Sequence, residues 1–275
     1  MSELLTERTP RVVAARKLLR RAARVEAGRF LVEGLRPVRD ALAWAEDDPG
    51  PRENRRVHDL FLTDAVADRH PDLAGRADAA GVRVALVTEK AAAALSDTVT
   101  PQGVAAVCST VTVGLDEALA GDPRLVTVLV GVADPGNAGT VVRTSDAAGA
   151  DAVILAGEAV DPHNGKCVRA SMGSLFHVPV AVHRDVDEVL DALRARGLTV
   201  LATAGDGDTV LDATAEDLLA GPTAWLFGSE AHGLDDAVAR GADRRVRVPI
   251  HGRAESLNLA TAAAVCLYAS ARVQH

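Results

Sequence analysis

The chain has 275 residues, 48% of them hydrophobic, which is more than one ordinary core requires and enough for two domains. Its apolar stretches are short and broken by charge, so no membrane span is expected; the N-terminus MSELLTERTPRVVAARKLLRR lacks the apolar core of a secretion signal, and the expected location is cytoplasmic. A formal net charge of −8 weighs against a polyanionic partner, yet Arg8, Arg11, Arg16, Lys17, Arg20, Arg21, Arg24 and Arg29 crowd the first thirty residues.

Residues 11–24 read as a basic helix whose Arg20, Arg21 and Arg24 are candidates to track an RNA phosphate backbone. A solvated helix face is the competing reading, and charge alone favours it. A strand at 29–33 and a helix over 34–44 follow. Beyond a Pro/Gly/charge break at 47–54 come a strand at 57–62, helical sequence over 64–80 broken near Pro71, a strand at 82–87, a helix at 89–95 and a strand at 103–109. Strands alternating with helices predict an α/β sandwich.

The segment 111–122, containing LDEALAGDP, reads as a linker with a short helix between a domain at 1–110 and another at 123–275. An apolar run over 125–132 opens the second α/β series. Further strands are predicted at 151–156, 178–182, 199–204, 224–227 and 245–248, and an Ala-rich helix over 256–273 closes the chain. Apolar, β-rich runs of this kind mark a largely parallel sheet covered on both faces. Cys108, Cys167 and Cys266 are far apart without C-x-x-C spacing and read as reduced packing residues. The histidines at 163, 177, 183, 232 and 251 lack metal-ligand spacing, so no metal site is expected.

Ligands of parallel α/β sheets sit at the carboxyl ends of strands, which directs attention to three loops. The first runs Asp134-Pro-Gly-Asn137-Ala-Gly139-Thr-Val-Val-Arg143; Asn137 is placed to cap a helix beginning near Gly139, with Arg143 one turn in. It is neither a Walker loop nor G-x-G-x-x-G. The second, Gly228-Ser-Glu230-Ala-His-Gly233, sets a carboxylate between glycines at a strand end and is not a nucleophile elbow. In the third, Pro249-Ile250-His-Gly252-Arg-Ala-Glu-Ser256-Leu257-Asn258, Ser256 reads as an ordinary cap of the last helix, whereas Asn258 fits poorly inside a first turn unless its amide bonds something specific.

Taken together these loops resemble the SpoU (TrmH-like) family of RNA 2′-O-ribose methyltransferases in the SPOUT superfamily. Its motifs N-x-G-x-x-x-R, G-x-E-x-x-G and P…G…S-L-N are met in order by Asn137/Gly139/Arg143, Gly228/Glu230/Gly233 and Pro249/Gly252/Ser256/Leu257/Asn258. Thr140 and Ser145 stand where alanine is commoner. The segments Arg29-Phe-Leu-Val-Glu-Gly34 and Thr100-Pro-Gln-Gly103 resemble the family's optional N-terminal substrate-binding domain, a small α/β fold like a ribosomal protein.

The resemblance implies a C-terminal domain whose mostly parallel sheet is tied in a trefoil knot, and a homodimer. It implies S-adenosylmethionine held by backbone around Ala204, Gly228, Ile250 and Leu257, and an RNA substrate, with large-subunit rRNA ahead of tRNA. Arg143 is the implied catalytic residue, with Asn137, Glu230, Ser256 and Asn258 orienting it, the ribose and the cofactor. The family's arginine has been assigned the role of base, but a guanidinium does not deprotonate in proteins; clamping the phosphate beside the target ribose is the role its chemistry allows, and the proton acceptor stays open. The alternatives are a tRNA 2′-O-methyltransferase, a SPOUT base methyltransferase and an RNA-binding protein without catalysis. Against base methylation stands the scarcity of aromatics, 3% of the chain and none in the first or third loop.

Overall fold

The computed structural model describes residues 4–47, 55–212 and 215–275; most of the predicted break at 47–54 lies outside the described residues. The chain packs as two compact units, Met1–Thr110 with Asp161–His177, and Val111–Val160 with Val178–His275.

The first unit begins with α1 (Pro10–Lys17) and α2 (Arg21–Ala27), followed by β1 (Arg29–Glu33) and α3 (Leu35–Glu46). Next come β2 (Val57–Leu62), α4 (Asp64–Arg69), α5 (Asp72–Ala79), β3 (Arg83–Leu86), α6 (Glu89–Ala94) and β4 (Val104–Ser109). Its sheet runs β1-β4-β2-β3, with β4 antiparallel to both neighbours and β2 parallel to β3. The core joins Val12, Ala15 and Leu18 to Leu31, Phe61 and Val107.

The predicted basic helix is therefore two helices, and the reason lies in Arg24. The chain turns at 18–20, and the Arg24 guanidinium donates from Nη1 to the carbonyls of Leu18 (3.0 Å) and Leu19 (3.1 Å) that the break sets free. Its other edge pairs with Asp161 at 2.7 Å, leaving Arg24 only 4% exposed. Arg24 is a packing cation and not a residue presented to RNA, which corrects the sequence expectation; Arg20 and Arg21 are exposed.

The second unit starts with β5 (Thr112–Val113), α7 (Leu115–Ala118), β6 (Leu125–Val130), α8 (Pro135–Ala147) and β7 (Ala152–Ala156). The chain then contributes α9 (Gly165–Ser171) and a 3₁₀ turn (Ser174–Phe176) to the first unit, where Phe176 stacks near Phe30 and Trp44. It returns with β8 (Val180–His183), α10 (Val186–Ala195), β9 (Thr199–Thr203) and β10 (Thr209–Val210). α11 (Glu216–Ala220), β11 (Thr223–Phe227), α12 (Asp236–Gly241), β12 (Arg244–Arg247) and α13 (Leu259–Gln274) complete it.

All eight strands are parallel, in the order β10-β12-β9-β11-β6-β7-β8-β5. β7 and β11 are buried from end to end, as unbroken apolar runs demand when helices cover both faces. One face carries Val126, Val128, Ile154 and Leu226 against α7 and α10. On the other side Trp225 donates to Ser270 of α13 (2.9 Å), and Thr127 bonds Ser145 of α8 (2.8 Å), so the serine found in place of the commoner alanine has a buried partner.

Candidate active site

The carboxyl ends of β6, β11 and β12 lead into the three loops singled out in the sequence, and that of β9 leads to Ala204. The first loop caps α8 with Asp134, whose Oδ1 accepts the Asn137 N–H at 2.8 Å, and Pro135 holds the first helical position. The helix thus begins four residues before Gly139 and Asn137 is not its cap. Freed from that duty, the Asn137 side chain donates from Nδ2 to Glu230 Oε1 at 3.0 Å. Glu230 Oε2 also accepts the Ala133 N–H at 3.4 Å.

The third loop ends the same way. Asn258, not Ser256, caps α13: its Oδ1 accepts the N–H groups of Ala260 (2.9 Å) and Thr261 (3.4 Å). With the oxygen committed to the helix, the Nδ2 is the donor, and it reaches Asn137 Oδ1 at 3.2 Å. The helix amides, Asn258, Asn137 and Glu230 form one directional chain of hydrogen bonds that ties the three motifs together. Asn137, Glu230 and Asn258 are the residues this chain brings together.

In the second loop Ser229 and Gly233 exchange backbone hydrogen bonds at 2.9 Å each way. A Cβ on Gly228 would stand 2.0 Å from the Gly233 carbonyl carbon, and Gly233 itself has φ +70°, so the glycines of G-x-E-x-x-G are set by backbone contact and by the left-handed turn. That tight turn delivers Glu230 to the first loop.

Beneath the chain of amides lies a cavity of about 520 Å³. Ala204, Gly228, Ile250 and Leu257 all line it, as do Ser256 and Asn258. Phe227, Val246 and Leu259 supply apolar wall, and the carboxylates of Glu230 and Glu255 supply negative charge. Apolar surface, glycine-rich backbone and carboxylates suit a ligand with an aromatic ring and a cationic centre. Nothing in the sequence pattern singled out Glu255, whereas the Asp-Pro pair at a helix start was a legible sign of the Asp134 cap.

Arg143 is not in this cavity. It is exposed on α8, and among the described residues it has no hydrogen-bond or ion-pair partner. Cys108 and Cys266 are buried and burial pushes their thiols up, in keeping with packing. Among the described residues no cluster of His, Cys, Asp and Glu could hold a metal ion, and no helix is long and apolar enough to cross a membrane.

Known proteins place this arrangement. The profile of the MRM3-like substrate binding domain matches residues 9–106, and that of the SpoU rRNA Methylase family matches residues 124–268. The 23S rRNA (guanosine(2553)-2′-O)-methyltransferase RlmP of Bacillus subtilis is 34% identical over 270 residues, 98% of each chain. An AdoMet-bound rRNA methyltransferase from Sinorhizobium meliloti superposes with a TM-score of 0.83 at 32% identity, covering 98% of both chains. The SpoU methyltransferase AviRb of Streptomyces viridochromogenes, in complex with AdoMet, gives 0.81 at 29% identity over 96% of this chain and 98% of that one. With its three motifs joined at one cavity and the profile matched over more than half its length, the chain belongs to the SpoU rRNA methylase family.

Proposed function

We propose that the chain methylates a ribose 2′-hydroxyl of large-subunit ribosomal RNA, with S-adenosylmethionine as donor. The observation that carries this reading is the directional chain from Asn258 through Asn137 to Glu230 at the mouth of the 520 Å³ cavity. The substrate follows the relatives, of which the Bacillus subtilis protein is named for a 23S rRNA 2′-O-methylation.

When bound, S-adenosylmethionine supplies an electrophilic methyl on a sulfonium. Ala204, Gly228, Ile250 and Leu257 would hold it through backbone and apolar contact, and the carboxylates of Glu230 and Glu255 in the same lining would balance its positive charge. Transfer to a ribose would require its 2′-hydroxyl to be held in line with that methyl group and to give its proton to solvent. Such a displacement is governed by in-line placement, so rigid polar groups do most of what a protein can do. Asn137 and Asn258 have fixed amide orientations, and Ser256 lines the same wall. Arg143 clamps the phosphate beside the target ribose through its planar fork.

Several finer features belong to the same reading. The first unit, Met1–Thr110 with Asp161–His177, serves as the RNA-binding domain, with Arg20 and Arg21 on the phosphate backbone, and the second serves as the catalytic domain; the segment 111–122, expected as a linker, packs instead as β5 and α7 of that second unit. The catalytic domain is knotted: β11 and β12, late in the chain, are inserted inside the sheet beside β9, which supports this. The protein is a cytoplasmic homodimer that uses no metal. Val265 and Tyr268, 41% and 53% exposed on α13, support a second copy covering that helix, and Arg143, exposed and outside the lining of the cavity, supports a site completed in the dimer.

Treating 23S rRNA with the protein and methyl-labelled S-adenosylmethionine, then digesting it with nuclease, tests the central claim. A nucleoside labelled on the ribose, resistant to alkali at its 3′ phosphodiester, is expected; label on a base with the ribose unmodified overturns it.

A further inference from the structure

The first unit contains a second cavity, about 530 Å³, bounded by the start of α3, the loop before β4 and the end of α9. Arg36, Arg39, Arg76 and Arg169 line it, together with Gln102 and Met172. The neighbouring carboxylates are already engaged. Asp40 accepts Arg36 Nε at 2.9 Å, and Glu33 accepts the hydroxyls of Ser96 (2.6 Å) and Thr98 (3.1 Å) as well as Arg169.

What remains unspent is donor capacity. Gln102 Oε1 accepts the Leu35 N–H at 3.0 Å, which fixes the amide and leaves Nε2 as a donor with no partner among the described residues. A ligand satisfying the Gln102 amide must bring an acceptor. On the major-groove edge guanine offers two acceptors, O6 and N7, and uracil offers O4, whereas adenine sets an amino donor beside its N7 and cytosine presents an amino donor.

Met172 adds an apolar face. It ends α9 with φ 51°, the one left-handed residue other than glycine among those described, and it is 41% exposed. Gly173 follows with φ 100°, and a Cβ there would lie 2.0 Å from an Asp40 carboxylate oxygen, so the end of α9 is drawn hard against α3. An unbranched thioether held at a cavity edge is suited to lie on a π-face.

We propose that this cavity receives one unpaired guanine or uracil nucleotide of the RNA substrate, its base against Met172 with its carbonyl edge towards Gln102. Its phosphate rests on Arg36, whose side chain is 65% exposed. The proposal rests on the reading of the substrate as ribosomal RNA. It assigns nucleotide recognition to this cavity, in addition to the exposed arginines of the first two helices.

The test is a KM-against-kcat comparison on 23S rRNA, with binding of the same RNA measured separately by filter retention. Gln102→Ala, Met172→Ala and Arg36→Ala should each raise KM and Kd for RNA by about tenfold, the loss expected for one stacked or hydrogen-bonded nucleotide, with kcat and S-adenosylmethionine affinity unchanged. A photoreactive group on Met172→Cys should cross-link to one unpaired guanine or uracil. Replacing that nucleotide by adenosine should weaken binding to the wild type and not to Gln102→Ala. Unchanged RNA affinity in all three folded variants, or cross-links only to duplex, overturns the proposal. Absence of methylation by the wild type, with the variants still weakened in binding, would instead count against the methyl-transfer reading alone.

Discussion

Asn258 holds α13 with its oxygen and Asn137 with its nitrogen, so one side chain both starts a helix and orients the catalytic loops. The two duties separate by substitution. Asn258→Asp keeps a good helix cap and loses the donor to Asn137, while Asn258→Ala loses both. The Asp variant should unfold within about 0.5 kcal/mol of wild type and the Ala variant about 1 kcal/mol below it, yet both should lose roughly 100-fold in single-turnover methylation. Normal turnover by the Asp variant would show that the amide chain does not serve the chemistry.

Gly228→Ala places a methyl group 2.0 Å from the Gly233 carbonyl carbon, where neither backbone segment can yield cheaply. A loss of about 3 kcal/mol in stability and of S-adenosylmethionine binding is expected, measured by denaturant unfolding and calorimetry. Gly252→Ala is the control. No atom lies within 4 Å of its added Cβ, so it should remain near wild type in both.

Arg143→Ala should fold within about 0.5 kcal/mol of wild type, because the side chain is exposed and partnerless among the described residues. Methyl transfer should nevertheless nearly vanish while cofactor still binds. Arg143→Lys should rescue little, since an ammonium cannot reproduce the two-pronged grip on phosphate. Retained turnover in the Ala variant removes Arg143 from the mechanism.

Arg24 and its neighbours should behave oppositely. Arg24→Ala strips a buried cation from Asp161 and frees two carbonyls, and should cost about 3 kcal/mol of stability. Arg20→Ala and Arg21→Ala should leave stability unchanged and make the salt dependence of RNA binding shallower, by roughly one unit of slope each. Urea titration beside a salt series distinguishes the two groups; a stability loss confined to Arg20→Ala or Arg21→Ala would refute the division.

Buried His58 and half-buried Asp161 contribute to the response to acid. Burial, reinforced by Arg29, lowers His58 from 6.5 to about 4, so the unfolded chain takes up this proton first. Stability should therefore fall as pH drops from about 6.5 to 4, by at most about 1.4 kcal/mol per pH unit, and His58→Gln should flatten that interval. Burial pushes Asp161 up, but hydrogen bonds from His163 and Arg24 outweigh it and hold the carboxyl well below the usual carboxylate range. Its contribution is present above 3.8 and should disappear only below that. Thermal melts across pH 1.5 to 8 check both intervals, and a wild-type profile flat from 6.5 to 4 would contradict the first.

Much of this was legible in the chain because local pattern and tertiary role agree. The strand at 57–62 and the buried runs of β7 and β11 follow from apolar periodicity alone, and the three motifs mark their own loops. The errors fall where a side chain acts over distance. Arg24 looked like part of a basic face because its partner, Asp161, lies 137 residues away. Asn137 and Ser256 read as caps because a cap is a local signal, whereas Asp134 and Asn258 hold those places and Asn137 spends its amide on Glu230. The two-residue strands β5 and β10 are too short to show a period at all.

The first unit borrows Asp161–His177 from the middle of the chain. During synthesis Phe30, Trp44 and Arg24 emerge long before Phe176 and Asp161, their eventual neighbours. A unit that folds as a whole cannot close until its last segment has left the ribosome, by which time β5, β6 and β7 of the other unit have been made. The N-terminal part of the nascent chain therefore waits with aromatic surface uncovered while a parallel sheet is begun behind it. Stalled nascent chains ending shortly before residue 161 should be bound by chaperones at that surface, and chains extended well past residue 177 should be released.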